Sequence, residues 1–338
     1  MSIRSRRKED HLELAHTFYQ AEQINSFDQM HLLRPALPET KVNLNSIKTT
    51  MFGKKVNAPF FINAMTGGSA KSQIINQNLG KIAGQTKIAL ALGSASILVE
   101  EHDQLASFLV AREANPTGVI IANVNAKTTP QDAQKIVTEL QADALQVHLN
   151  AVQEIAMPEG ERDFHWLDNL KLLRQKITVP IIIKEVGFGL DRGTIHQLKN
   201  VGFEYFDLAG SGGTNFAQIE NARNQSDLSY LENLGLPTVV AAMMAQQEQT
   251  NFIVSGGVRN PLDIFKGLCL GGKYVGISNV FLQAMVQNTP EFLLQMIQNW
   301  QEELAALLAI FGQTDLKNLA AIKQYYDLPL QNIIQQLN

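Results

Sequence analysis

Asp143-Ala144-Leu145-Gln146-Val147-His148-Leu149-Asn150-Ala151-Val152-Gln153-Glu154 is the stretch on which the reading of the fold turns. It begins as a strand and ends in a cluster of polar groups. Strand side chains alternate with period two, so Leu145, Val147 and Leu149 share one side, and Gln146, His148 and Asn150 share the other. Polar groups repeated along one side of a short buried strand are costly unless they find partners. They make sense where that side leads into a polar site. Gln153 and Glu154 follow just past the strand end, where a loop can aim an amide and a carboxylate at one place. A half-exposed edge strand with His148 hydrogen-bonded in the core gives the same pattern. The neighbouring segments decide.

Upstream, Pro59 to Met65, Ile88 to Leu92 and Gly118 to Asn123 read as strands. Helical patterns near 71–85, 101–113 and 130–141 alternate with them. Downstream, Val179 to Glu185, Glu204 to Ala209, Asn251 to Ser255 and Lys273 to Ile277 bring the strands to eight. Such alternation indicates parallel strands joined by crossover helices. Eight of them predict an α/β fold closed as a (β/α)8 TIM barrel; an open doubly wound sheet is the alternative. Residues 1–58 read as an N-terminal arm and lead-in, and 59–289 as the barrel. Residues 290–338 read as C-terminal helices packed on it, broken near Gly312.

The 338 residues, 45% hydrophobic, have ample length for a large core. A net charge of −4 gives no global bias towards nucleic acid or membrane, so any anion must be met by local groups. The single cysteine, Cys269, excludes an intramolecular disulfide; its small and apolar neighbours predict buried packing. The N-terminus lacks the apolar segment of a secretory signal, and no apolar run approaches the roughly 18 residues needed to span a bilayer. The expected location is cytoplasmic. Arg4, Arg6, Arg7 and Lys8 crowd together, and His11 follows one helical turn after Arg7 and Lys8, on one face of a helix. They form either a solvated tail or an arm that folds over a phosphate.

Working groups of such barrels lie at the carboxyl ends of the strands. Thr66-Gly67-Gly68, Ser94, Asn123, Lys184, Gly210 to Asn215, Gly256 to Arg259 and Ser278-Asn279 gather there. Barrels frequently bind phosphate at the seventh and eighth ends, where glycines let backbone N–H groups approach an anion and Arg259 can add charge. A phosphate there, a lysine at strand five and amides at strands one to three suit flavin mononucleotide, FMN. Lys184 can stabilise charge developing on a reduced flavin; the plainer reading is a rim lysine paired with Glu154 or Glu204. Two glycine motifs do not qualify as nucleotide sites. Gly187 to Gly193 has its third glycine one residue late, and Gly267 to Lys273 precedes a strand and lacks the Ser/Thr.

Several blocks, taken together, resemble the type 2 isopentenyl-diphosphate isomerases. They are Arg7-Lys8-Glu9-Asp10-His11, Ala64 to Gly68, His148 to Glu154, Lys184 to Gly189 and Ser211 to Asn215. The resemblance runs in order from the N-terminal arm to Ser278-Asn279. It implies interconversion of isopentenyl and dimethylallyl diphosphate, with FMN kept reduced by NADPH or NADH, and Mg²⁺. It further implies that Arg7, Lys8 and His11 hold the diphosphate with His148 and Asn150. Gln153 lies against the substrate and Glu154 binds Mg²⁺. Gln153, His148, Asn150 and Lys184 form the catalytic group. FMN contacts fall on Ala64, Met65, Thr66, Ser94, Asn123, Lys184, Ser211, Thr214, Gly257, Val258, Arg259, Ser278 and Asn279. The expected assembly is a homo-oligomer, a tetramer or octamer. Two rivals are an FMN-dependent hydroxy-acid oxidase and a non-catalytic flavin-binding sensor. The oxidase needs a histidine base and an arginine clamp after strand six, where Ser211-Gly212-Gly213-Thr214 stands here.

Overall fold

A computed structural model describes residues 3–21 and 23–337, the side chains of 3–5 excepted. Eight parallel strands close into a barrel: β1 Phe60–Ile62, β2 Leu90–Ala91, β3 Ile120–Asn125, β4 Ala144–His148, β5 Ile181–Lys184, β6 Tyr205–Asp207, β7 Asn251–Ser255 and β8 Tyr274–Ile277. Each pairs with the next in sequence, and β8 closes on β1. Most strands are shorter than the alternation predicts. At β1 the reason is local: the Asn63 side-chain oxygen takes the Ala64 N–H at 2.8 Å and turns the chain out of the ladder. The helix expected near 101–113 is a 3₁₀ turn, His102–Leu105, followed by the α-helix Ala106–Ala114.

Period two sorts the strands into an outer and an inner face. Ile62, Leu90, Ala122, Val124, Leu145, Val147, Ile183, Phe206, Val254 and Val275 face out and pack under the helices. Inward, Phe61, Ile121, Ala144, Ile182, Tyr205 and Ile253 fill the lower barrel. The hairpin Thr49–Met51 with Lys54–Val56 closes that end, and its Met51 and Val56 join the same interior cluster. Two residues further along each of these strands the interior turns polar: Asn63, Asn123, Gln146, Lys184, Asp207 and Ser255, all buried. The barrel is therefore an apolar plug below and a polar floor above.

The C-terminal extension differs from a purely helical segment. The helix Pro290–Ile310 buries Leu293, Ile297, Trp300, Leu304 and Leu308 at spacings of three and four. Past Gly312, however, Gln324–Tyr326 forms a strand that pairs antiparallel with Met30–Leu32 of the lead-in, before the last helix Leu328–Leu337. A three-residue strand paired across almost the whole chain leaves no periodic signature to read. Among the described residues no helix is long and apolar enough to cross a membrane.

The loops after β6 and β7 pack backbone against backbone. A Cβ on Gly256 would lie 2.0 Å from the Gly210 carbonyl oxygen, one on Gly257 2.6 Å from that of Gly212, and one on Gly213 2.6 Å from the Gly257 nitrogen. Gly256 also holds φ at +98°. These glycines join two loops, a demand separate from the approach to an anion that the sequence suggested. We expect Gly256→Ala to destabilise the protein by about 2–4 kcal/mol, read as a lowered urea midpoint, because backbone lies on both sides and cannot yield. A midpoint equal to wild type would show that the loops tolerate separation.

Candidate active site

A cavity of about 610 Å³ opens at the carboxyl ends of the strands. The N-terminal helix Ile3–Thr17 crosses it as a roof, with Arg7, Lys8, His11, Leu12 and Ala15 in its wall. Every candidate site residue borders this cavity except Ser211. Ser211 faces away: its N–H donates to Leu236 O at 2.8 Å, and its carbonyl takes the Thr238 hydroxyl at 3.2 Å. It belongs to the packing of the loop after β6.

The floor is one hydrogen-bonded network around Asp207. Asn63 Nδ2 and Gln146 Nε2 donate to Asp207 Oδ2 at 2.8 and 3.1 Å, and the Ser255 hydroxyl donates to Oδ1. Lys184 Nζ lies 3.5 Å from Oδ2 and donates to Glu185 O at 2.9 Å. The partner of Lys184 is therefore Asp207, in place of Glu154 or Glu204. Asn123 Nδ2 donates to Gln146 Oε1 at 3.0 Å, and Asn123 Oδ1 lies 2.8 Å from His148 Nδ1. Burial first, and then the charges of Lys8, Lys184 and Arg7, push the His148 imidazole down to about 3, so it is neutral at physiological pH.

A second buried carboxylate, Glu220, ties the roof to the barrel. It comes from the helix Phe216–Arg223 in the long loop after β6. His11 Nε2 lies 2.8 Å from Glu220 Oε1, which also accepts from Gln153 Nε2 at 2.9 Å, and Arg223 donates to Oε2. Burial alone would lift this carboxyl, but the contacts from His11, Gln153 and Arg223 outweigh it and hold it at about 2. The Phe216 ring meets His11 edge-on at 5.8 Å. Lys8 Nζ donates to Ser94 O at 2.7 Å, and Arg7 Nη1 lies 3.5 Å from Glu159 Oε1. The basic segment is thus a folded arm over the cavity, not a solvated tail.

Glu154 follows on the short helix Ala151–Ala156. Its Oε1 accepts from Asn150 Nδ2 and its Oε2 from the Glu161 N–H, both at 2.8 Å, which holds the carboxylate at the wall. Asn150 Nδ2 also reaches Gln153 Oε1 at 3.3 Å, so Gln153 is held at both ends of its amide. Among the described residues no three of His, Cys, Asp or Glu converge as a metal cage. Arg259 is less available than the sequence suggested. Asp28 takes its guanidinium at 2.7 and 2.9 Å and Asp263 at 3.0 Å, which raises its pKa further. Asn279 reaches Ala15 O of the roof at 3.4 Å.

The two discounted glycine motifs are structural. Glu185 accepts from the Gly189 N–H at 3.1 Å and from the Phe188 N–H, turning the chain that carries Gly187. Gly267 is buried in the helix Pro261–Cys269 against Val254 and Val275. Cys269 is buried, and burial pushes its thiol up to about 12, so it is inert.

Asp207, Asn63, Ser255 and Glu220 were not singled out from the sequence. The first three have a signal that could have found them: each stands two residues beyond an apolar interior position on its strand. Glu220 has only its i, i+3 spacing to Arg223, which many surface helices share.

The FMN-dependent dehydrogenase family model matches residues 98–324. An isopentenyl-diphosphate delta-isomerase of Latilactobacillus sakei is 38% identical over 340 residues, covering 100% of this chain and 97% of its own. One from Listeria welshimeri is 38% identical over 329 residues, covering 95% and 90%. Among solved structures, the flavin-binding domain of baker's yeast flavocytochrome b2 superposes with a TM-score of 0.64 at 18% identity, covering 95% of this chain and 84% of that one. A mandelate oxidase mutant with a monooxide FMN adduct gives 0.62 at 11% identity, covering 94% and 92%. At those identities the structural likeness is one of fold alone.

Glu220 carries a signed pH prediction. Its folded pKa lies near 2 against an ordinary 4.5, so the stability it contributes is complete above about 4.5 and disappears as pH falls towards 2. Glu220→Gln should cost about 3–5 kcal/mol at neutral pH, because it leaves Arg223 and His11 without their buried partner. The gap between the two proteins should narrow below pH 4.5 in a series of urea titrations. A gap independent of pH would mean that Glu220 is not ionised in the fold.

Proposed function

The chain belongs to the type 2 isopentenyl-diphosphate delta-isomerase family, within the FMN-dependent barrels, and from that premise we propose that it interconverts isopentenyl and dimethylallyl diphosphate. The observation that carries this reading is the cationic roof over a polar floor. Arg7, Lys8 and His11 stand on one helix across the cavity from Lys184, and the charges of Lys8 and Arg7 reach the His148 ring. A diphosphate held between the roof and His148 leaves its hydrocarbon tail directed at the Lys184 part of the floor.

FMN fits the residues present. Lys184 brings positive charge to the floor, Thr66, Ser94, Thr214 and Ser278 add hydroxyls, and glycine loops follow β6 and β7. Ala64, Met65, Asn123, Gly257, Val258 and Asn279 complete the set that would hold it. Arg259 would act through the loop it braces, since its guanidinium is taken by carboxylates. When bound and reduced by NADPH or NADH, FMN supplies an acid–base group for a reaction that gains one proton and loses another with no net redox change.

The side chains then bind, orient and exclude water. Arg7, Lys8, His11 and Asn150 hold the diphosphate with His148. Gln153 cannot carry a proton at physiological pH; fixed between Asn150 and Glu220, it orients the tail. The roof keeps water from carbon centres at which charge develops. Glu154 would offer one carboxylate to Mg²⁺, which prefers oxygen ligands and would supply positive charge beside the substrate phosphates. Assembly into a homo-oligomer, a tetramer or octamer, is part of the same proposal, and exposed Leu33, Tyr325 and Leu328 near the two-stranded ribbon offer apolar surface for it.

Anaerobic incubation with reduced FMN and Mg²⁺ should convert isopentenyl diphosphate to its isomer. Oxidation of a 2-hydroxy acid, or turnover of neither, would overturn the assignment. Glu154→Gln keeps size and removes charge. It should need much more Mg²⁺ for the same turnover while binding FMN normally, and an unchanged Mg²⁺ dependence would remove Glu154 from the metal. Lys184→Ala should lose roughly 10²–10³ in kcat, the usual cost of removing a preorganised charge-stabilising donor. Full activity at full flavin occupancy would exclude that role.

A further inference from the structure

An ionised carboxylate accepts hydrogen bonds and donates none. Asp207, fully buried, therefore turns the amide N–H groups of Asn63 and Gln146 towards itself, at 2.8 and 3.1 Å. Asn63 Oδ1 is then left to accept from Gln146 Nε2 at 3.0 Å and from the Ala64 N–H. Gln146 Oε1 is left to accept from Asn123 Nδ2 at 3.0 Å. Asn123 consequently offers an oxygen to His148 Nδ1 at 2.8 Å. Flipping Gln146 would set its carbonyl against the carboxylate, and flipping Asn123 would set oxygen against oxygen. The orientations follow from the charge at one end of the relay, so the His148 proton belongs on Nδ1.

We propose that Asp207 is a positioning residue which, through Asn63, Gln146 and Asn123, locks His148 in its Nδ1–H form, so that the ring meets the cavity with a bare Nε2 and a diphosphate docks there with one proton more than the fully ionised anion carries. The tautomer follows from the relay alone, while the proton uptake rests on the diphosphate reading above. Burial and the charges of Lys8, Lys184 and Arg7 act on the ring, outweigh a backbone hydrogen bond at Val124 that favours its proton, and keep it neutral before an anion arrives. An anionic oxygen facing a bare nitrogen gains no hydrogen bond. One proton from solvent restores it, sitting on the phosphate oxygen and shared with Nε2, or sitting on Nε2 and shared with the oxygen. No other bond changes, and the proton count is the same in both cases.

The test uses the FMN-loaded full chain labelled with nitrogen-15. Long-range proton–nitrogen spectra of the imidazoles, with His148→Asn to identify the signals, should show protonated Nδ1 and unprotonated Nε2 for His148 in the free protein. Protonated Nε2, or a mixture, would overturn the relay. Asp207→Asn removes the charge and keeps the shape, and should release the ring into mixed tautomers. Gln146→Leu cuts the relay in the middle and serves the same purpose if the first variant does not fold. A ring that stays locked in the folded variant would separate Asp207 from the tautomer.

Proton uptake is then read by calorimetry with isopentenyl diphosphate and oxidised FMN, in buffers of different ionisation enthalpy, above the last ionisation of the diphosphate. Wild type should take up about one proton more per site than His148→Asn, a difference in which proton release by Mg²⁺ cancels. Equal uptake would overturn the coupling while leaving the tautomer result intact. Failure of wild type to bind the diphosphate would overturn both the coupling and the diphosphate reading, with the tautomer still decided by the spectra.

Discussion

Asp207 lies in the middle of the barrel without contact with solvent, 3.5 Å from the Lys184 ammonium, and it imposes its polarity on the interior side chains around it. Taking such a charge out of water is expensive, and the attraction to Lys184 offsets that only if the remaining lone pairs are also satisfied. Asn63, Gln146 and Ser255 satisfy them, from three different strands. The barrel's closure and its polar floor are thus one requirement. Moving any of these strands by one residue would turn its polar side chain outwards and leave the carboxylate short of a donor. Register in this barrel is held by hydrogen bonding at the top as well as by packing below.

Glu220 does for the roof what Asp207 does for the floor. It lies on a helix within a loop, where positions are less constrained than on a strand, yet two groups from distant parts of the chain join Arg223 of its own helix on it. One of the two, His11, belongs to the N-terminal arm, and the other, Gln153, belongs to the wall beyond β4. The arm's placement is therefore sensitive to the same carboxylate that fixes an amide in the cavity. That linkage couples the seating of the arm to the orientation of an amide in the cavity wall. It also explains why a basic segment next to the N-terminus is seated here.

The sequence made the barrel legible because eight apolar segments alternate with helical ones, and because polar residues recur where each apolar run stops. The stretch from Asp143 to Glu154 announced both the inner face and the cavity. The partner of Lys184 was not legible. Glu154 and Glu204 are conspicuous carboxylates near strand ends, whereas Asp207 is the last residue of a three-residue strand and looks like an ordinary turn former. Arg259 misled for a related reason: a sequence shows an arginine beside glycines, but not that Asp28, more than two hundred residues away, has already taken it. Ser211 is one residue from positions that line the cavity, and a loop gives no periodicity from which to tell the two sides apart.

The barrel is shared with a mandelate oxidase mutant and with the flavin-binding domain of flavocytochrome b2, so the fold alone leaves the chemistry open. The loop after β6 narrows it. The hydroxy-acid oxidase weighed from the sequence calls for a histidine base and an arginine clamp after strand six, both large side chains. Here a Cβ on Gly212 would meet Asn25 at 2.8 Å and a Cβ on Gly213 would meet the Gly257 backbone at 2.6 Å. The loop has no space for side chains at those positions, because the lead-in and the loop after β7 occupy it. The groups that complete the cavity come instead from the arm and from the helix carrying Glu220. In this barrel, glycine leaves one side of the cavity to backbone, and the N-terminal arm supplies side chains from another.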